Sequence, residues 1–145
     1  MAELEWCTMS GERDLDTLLQ SMKREMQEGV FVFCTLPEGR EIPADFKPVH
    51  IFQEREGAAF VVRREEAEAV GLPYQFASRL ITLTVHSSLE SVGFLAAITA
   101  SLAEAGISVN AVSAFYHDHL FVPVERAEDA KLLLQRLAGR ARRAG

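Results

Sequence analysis

Residues Ser78–Val124 constrain the fold more than any other part of the chain. Leu80-Ile81-Thr82-Leu83-Thr84-Val85 alternates β-branched and aliphatic residues, which puts Ile81, Leu83 and Val85 on one face and Leu80, Thr82 and Thr84 on the other. His86-Ser87-Ser88-Leu89-Glu90 breaks that alternation. Ser87 with Glu90 three residues on fits a capping box, so a helix is expected to begin there and to end at Gly106. A step of about 100° per residue gathers Val92, Leu95, Ala96, Ile98, Thr99, Leu102 and Ala103 on its inner arc and leaves Phe94 on the outer one, facing a partner or packed as a satellite aromatic. Ile107–Phe115 and Leu120–Val124 then read as two strands around the polar interval Tyr116-His117-Asp118-His119. The order is strand, helix, hairpin.

The remainder is read outward from this stretch. Met1–Glu12 has no periodicity and reads as a leader; Asp14–Met26 is expected to be a helix with Leu15, Leu18, Leu19 and Met22 as its stripe, stopped by Gly29. Val30–Thr35 reads as a buried strand. Residues 36–48 carry three prolines and a glycine, which no regular element accommodates, and are expected to be a loop. Val49–Gln53 and Ala58–Arg63 make a hairpin about Glu54-Arg55-Glu56-Gly57, Glu65–Val70 a short helix, Pro73–Ser78 a connection, and Glu125–Gly139 a closing amphipathic helix. The two halves thus run through similar element orders. They predict an α+β fold of two ferredoxin-like units, residues 14–75 and 76–140, each an antiparallel sheet with helices packed on one face. Six strands fall short of the eight that two four-stranded sheets need, so strand exchange between halves or pairing across a dimer is expected to supply the rest.

Composition narrows the functional classes. The 145 residues carry a net charge of −6, which argues against nucleic acid; Arg136, Arg140, Arg142 and Arg143 read as a solvated helix end. No apolar run is long enough to span a membrane, and nothing resembles a secretory signal, so a cytoplasmic protein with reduced Cys7 and Cys34 is expected. Cys34 sits in an apolar strand and reads as an inert buried thiol. His86 beside Ser87 and Ser88 is adjacency without the orienting acid of a triad, and no glycine-rich phosphate loop is present.

Three segments also carry a family likeness. Leu80–Gly93, Leu102-Ala103-Glu104-Ala105-Gly106-Ile107-Ser108 and Ala114–Pro123 resemble the ACT-domain family, in particular small bacterial proteins made of two ACT units and related to the regulatory domains of aspartate kinases. The helix about Ser21-Met22, Gly29–Cys34, Phe52–Val62 and Leu72-Pro73-Tyr74 extend the likeness to about residues 14–139, with a departure at Ser113-Ala114-Phe115-Tyr116. The resemblance implies a βαββαβ-type fold, a homodimer with side-by-side sheets, and a small effector, usually an amino acid, bound between ACT units. It implies no catalytic role and no cofactor.

The expected ligand site is the loop His86, Ser87, Ser88, Leu89, Ser91, Val92 and Gly93, because a helix start offers unpaired N–H groups to a carboxylate. Asn110, Ala111 and Val112 are expected to form the opposite wall, and Tyr116, His117, Asp118 and His119 a turn at an interface. His117 and His119 also invite a metal reading, set against a turn in which Asp118 bonds backbone amides and the imidazoles face outward. The expectation is therefore a non-catalytic regulatory protein that senses an amino acid. The alternatives are a ligand-free interaction module whose sheet edge docks to an unidentified protein partner, and a metal-dependent enzyme.

Overall fold

A computed structural model describes residues 14–85 and 88–144, and the chain divides by its contacts into two compact units. One is inserted in the other. Residues 28–79 form the inserted unit; the residues up to Gln27 join those from Leu80 onward in a split unit. Sequence order alone suggests a division near residue 75. The contacts group the N-terminal helix and strand with the far end of the chain instead, for reasons visible in the pairing below.

The inserted unit contains β2 (Phe31–Thr35), β3 (His50–Glu54), β4 (Gly57–Arg63), the helix α2 (Arg64–Ala69) and the first five residues of β5 (Gln75–Leu83). Its strands lie in the order β3-β4-β2-β5, with Val32 opposite Val62 and Ile51 opposite Phe60, all antiparallel. That is the ferredoxin-like order, and residues 36–49 occupy the place of its first helix. The loop has local order: the N–H groups of Arg40 and Phe46 donate to the carbonyls of Pro37 and Pro43, and Glu66 of α2 accepts from the N–H of Lys47. Phe46 and Leu36 of the loop fill the core with Val32, Cys34, Phe60 and Val62. Burial raises the pKa of Cys34, in keeping with an unreactive thiol.

The β5 strand is longer at its N-terminal end than expected. Gln75–Ser78 pairs with β2 across a register shift between Phe31 and Phe33, where Ser78 donates its hydroxyl to the Phe31 carbonyl at 2.9 Å. Phe76 sits at φ 57°, and its ring packs edge-on against Phe33. A bulge of this kind hides the strand from period-two reading.

The split unit contains α1 (Leu15–Ser21), β1 (Arg24–Met26), the last four residues of β5, α3 (Phe94–Glu104), β6 (Asn110–Ser113), β7 (Asp118–Pro123), a 3-10 turn (Val124–Arg126) and α4 (Ala127–Ala144). Its sheet order is β1-β5-β7-β6. The expected single helix over 14–26 is wrong in its second half. Met22 already has an extended backbone, and Arg24, Glu25 and Met26 pair with Leu83, Thr82 and Ile81. This short strand, from the beginning of the chain, is the fourth strand of a sheet otherwise built from its end. The count of strands is resolved by β5, whose residues 75–79 close one sheet and whose residues 80–83 open the other.

Helices α1, α3 and α4 cover one face of the split unit's sheet. Ile81, Leu83, Leu120 and Val122 point into that core and meet Leu18, Leu19 and Met22 of the N-terminal segment. From α4 come Ala130, Leu134 and Ala138, four residues apart along one face of the helix. The α3 face is rotated from the expected arc. Phe94, placed outside by sequence, is 2% exposed and heads the buried row Phe94, Ile98, Leu102, whereas Ala96 and Ala103 are exposed.

Candidate functional site

The rotation of α3 follows from its start. The helix begins at Phe94, not among Ser87–Glu90, and its N-cap is Gly93 in the left-handed region at φ 89°. His86 and Ser87, two of the expected ligand residues and half of the expected capping box, lie outside the described residues. Ser88–Ser91 is a tight turn. The N–H of Ser91 donates to the Ser88 carbonyl at 3.0 Å, and the N–H of Glu90 donates to Ser88 Oγ at 3.1 Å. Ser88 is buried by this arrangement, so its hydroxyl serves the turn.

Leu89 and Val92 project outward, 69% and 83% exposed. Gly93 brings no side chain to cap the first turn of α3, while its carbonyl accepts from the N–H of Ala97 at 2.9 Å. The first-turn amides of α3 therefore meet a residue that has nothing with which to occupy them. The position of the donor-rich helix end was displaced by several residues in the sequence reading. A glycine directly before an apolar run was the available signal.

Asn110, Ala111 and Val112, expected as the facing wall, are on β6 and pair with Phe121, Leu120 and His119. Within the sheet, β7 separates β6 from β5, the strand that leads into the loop. The two predicted walls are thus not neighbouring strands, and about two strand spacings, or ~10 Å, lie between their backbones.

The β6–β7 hairpin also differs in detail from expectation. Its turn closes with the N–H of Ala114 on the His117 carbonyl, and the exposed rings of Phe115 and Tyr116 stack edge to face with centroids 4.9 Å apart. Asp118 is a strand residue. It is buried and accepts the Ser113 hydroxyl at 2.6 Å, a clamp between paired residues of the two strands. His119 does not face solvent freely either. Its Nδ1 lies 3.0 Å from the Thr82 hydroxyl, which also accepts from Gln27 Nε2 at 3.2 Å. Burial lowers the His119 pKa, the neighbouring His117 lowers it further, and Asp118 acts in the opposite sense. Sequence reading missed this chain, because Gln27, Thr82 and His119 are brought together only where the N-terminal segment and β7 both flank β5. Among the described residues, no group of three or more His, Cys, Asp or Glu is placed to hold a metal ion. No helix among them is long and apolar enough to cross a membrane.

Comparison with known proteins decides the family. ACT-domain family models match residues 10–79 and 75–136, meeting at the start of β5. A protein of unknown function from Vibrio cholerae, named a possible transport protein, is 42% identical, with 86% of this chain and 95% of that one covered and a TM-score of 0.75. The chain belongs to the ACT-domain family. The ACT fold extends to more distant structures. A protein from Agrobacterium tumefaciens is 19% identical over 81% of this chain and 89% of its own, at a TM-score of 0.69. The regulatory subunit of aspartate kinase from Thermus thermophilus is 12% identical over 82% of this chain and 97% of its own, at a TM-score of 0.61. At such identities the likeness is one of fold. No curated protein matches the chain. The ferredoxin-like α+β architecture expected from the sequence is thus that of a tandem ACT protein, and the matched family models name no reaction.

Proposed function

We propose that this ACT protein is a cytoplasmic, non-catalytic regulator that binds an amino acid at an interface between ACT units of a homodimer. The observation that carries the reading is the start of α3, where Gly93 leaves first-turn amides without a side-chain cap beside the exposed Leu89 and Val92. Backbone donors and the positive end of an 11-residue helix suit a carboxylate. The exposed aliphatics next to it suit the side-chain end of the same ligand. His86 and Ser87 precede this turn in sequence and are included in the proposed site, with Ser88 holding the turn in shape. Asn110–Val112 would join the site from another unit, since β7 keeps them from the loop in their own sheet. The regulatory aspartate kinase neighbours support a role in which occupancy is reported to another domain or protein, through differential binding to two states.

Calorimetry and thermal shift against the twenty amino acids test the reading. One or a few of them should give saturable heat and a raised Tm. Val92→Glu, a change at an exposed position, should weaken that binding about tenfold by setting a like charge beside the carboxylate. Absence of heat and of any shift with all twenty would remove the proposal. Light scattering checks the dimer independently.

A further inference from the structure

The inserted unit carries a cavity that the amino-acid site does not use. It has a volume of about 850 Å³, within the roughly 300–1,000 Å³ of small-molecule pockets, and every residue lining it belongs to residues 28–79. Its floor is the sheet face opposite the core. Phe33 of β2 and Val61 of β4 are paired, as are Ala59 of β4 and Phe52 of β3; strand alternation puts these four side chains on the face opposite those of Cys34 and Phe60, and Leu36 and Pro37 at the start of the loop line the cavity beside them. Phe52, 63% exposed, is an aromatic ring left at the mouth.

Two prolines stiffen the walls. Pro37 opens the loop after β2, and Pro73 precedes Tyr74, whose hydroxyl donates to Glu68 at 2.8 Å. Gly57 allows the loop to come this close, since a Cβ there would collide with the Leu36 carbonyl.

The charges at the rim all have one sign. Glu54 and Glu56 line the cavity, and no lysine or arginine does. Glu56 has an exposed partner in Arg55 at 3.8 Å, a contact of the weak surface kind. Glu54 has no ion pair among the described residues, and His50 and Gln75 complete the polar rim. A carboxylate ligand would be repelled here. A cation on an apolar body would meet carboxylates at the rim and the aromatic rings of Phe33, Phe52 and Tyr74 in the lining.

We infer that this cavity binds an apolar organic cation, an amine borne on an aryl or branched alkyl body. The class differs in charge from the carboxylate expected at α3, so the two sites are chemically distinct.

Titration of the full chain with phenethylamine, 2-phenylethanol and 3-phenylpropionate, followed by amide NMR, tests this. Phenethylamine should shift the amides of Phe33, Thr35 and Ala59 saturably, and 3-phenylpropionate should bind at least about tenfold more weakly. Phe52→Ala should weaken phenethylamine about fivefold. Glu54→Gln should weaken it about threefold and flatten its salt dependence. Val92→Glu, in the other unit, should leave it unchanged, which separates this result from success or failure at the α3 site. Equal binding of the three probes, shifts confined to other residues, or no saturation at millimolar phenethylamine would each overturn the inference.

Discussion

His119 couples the β6–β7 hairpin to the N-terminal segment through one hydroxyl, since Thr82 is shared between His119 Nδ1 and Gln27. Its folded-state pKa is lowered, chiefly by burial and then by His117, so the folded protein holds a proton there less readily than the unfolded chain. The stability this provides is fully present above the ordinary imidazole value of ~6.5 and is lost as pH falls through the lowered folded value. Urea unfolding of wild type and His119→Gln between pH 7.5 and 5.5 should therefore show the shallower decline in the variant. Equal slopes would mean that His119 does not carry the dependence. Phe94 makes a second residue-scale case. It is fully enclosed although sequence places it outside, and Phe94→Ala should cost about 3–5 kcal/mol in unfolding free energy, with Phe94→Leu losing much less.

Among the elements, β4 and β7 were legible as short apolar runs between turn signals, buried on both faces at Phe60-Val61-Val62 and Leu120-Phe121-Val122, and α4 by its helical period; their bounds differ from expectation only at the ends. The start of α3 was not legible: Ser87-x-x-Glu90 satisfies a capping pattern, yet the chain turns at Ser88–Ser91 and enters the helix through Gly93. A pattern of two residues competes poorly with the backbone freedom of a glycine placed where φ must be positive. The three residues of β1 are invisible for a different reason. Arg24-Glu25-Met26 has no apolar alternation, and only a partner more than fifty residues away makes it a strand. The candidate site inherits the first failure, since the helix start expected at Ser87 lies at Gly93. The β3–β4 hairpin gives an element-scale test. Gly57 stands at φ 139° with the Leu36 carbonyl against it, so Gly57→Ala must both strain the backbone and push the loop away. A loss of at least about 2 kcal/mol is expected by chemical denaturation, with exchange protection lost first at Leu36, whose N–H donates to Ala58.

At the scale of the molecule, the split unit depends on a segment that sequence order assigns to its neighbour. Leu18, Leu19 and Met22 are buried in its core, and β1 covers what would otherwise be the free edge of β5. Burial of three such side chains is worth roughly 5–9 kcal/mol, comparable with the ~5–15 kcal/mol that a whole domain possesses. Removal of the residues through Gln27 should therefore abolish the cooperative unfolding of this unit while most helix content survives, with dye binding to the exposed core. The inserted unit has a separate core in Val32, Phe60 and Val62, and its β2 and β4 amides should keep their exchange protection in the shortened chain. A peptide of residues 14–27 added in trans should restore cooperativity, because the missing strand and helix are contiguous and bring their own apolar face. A shortened chain that unfolds as sharply as the full one would show that β5 tolerates an open edge and that the N-terminal leucines are dispensable.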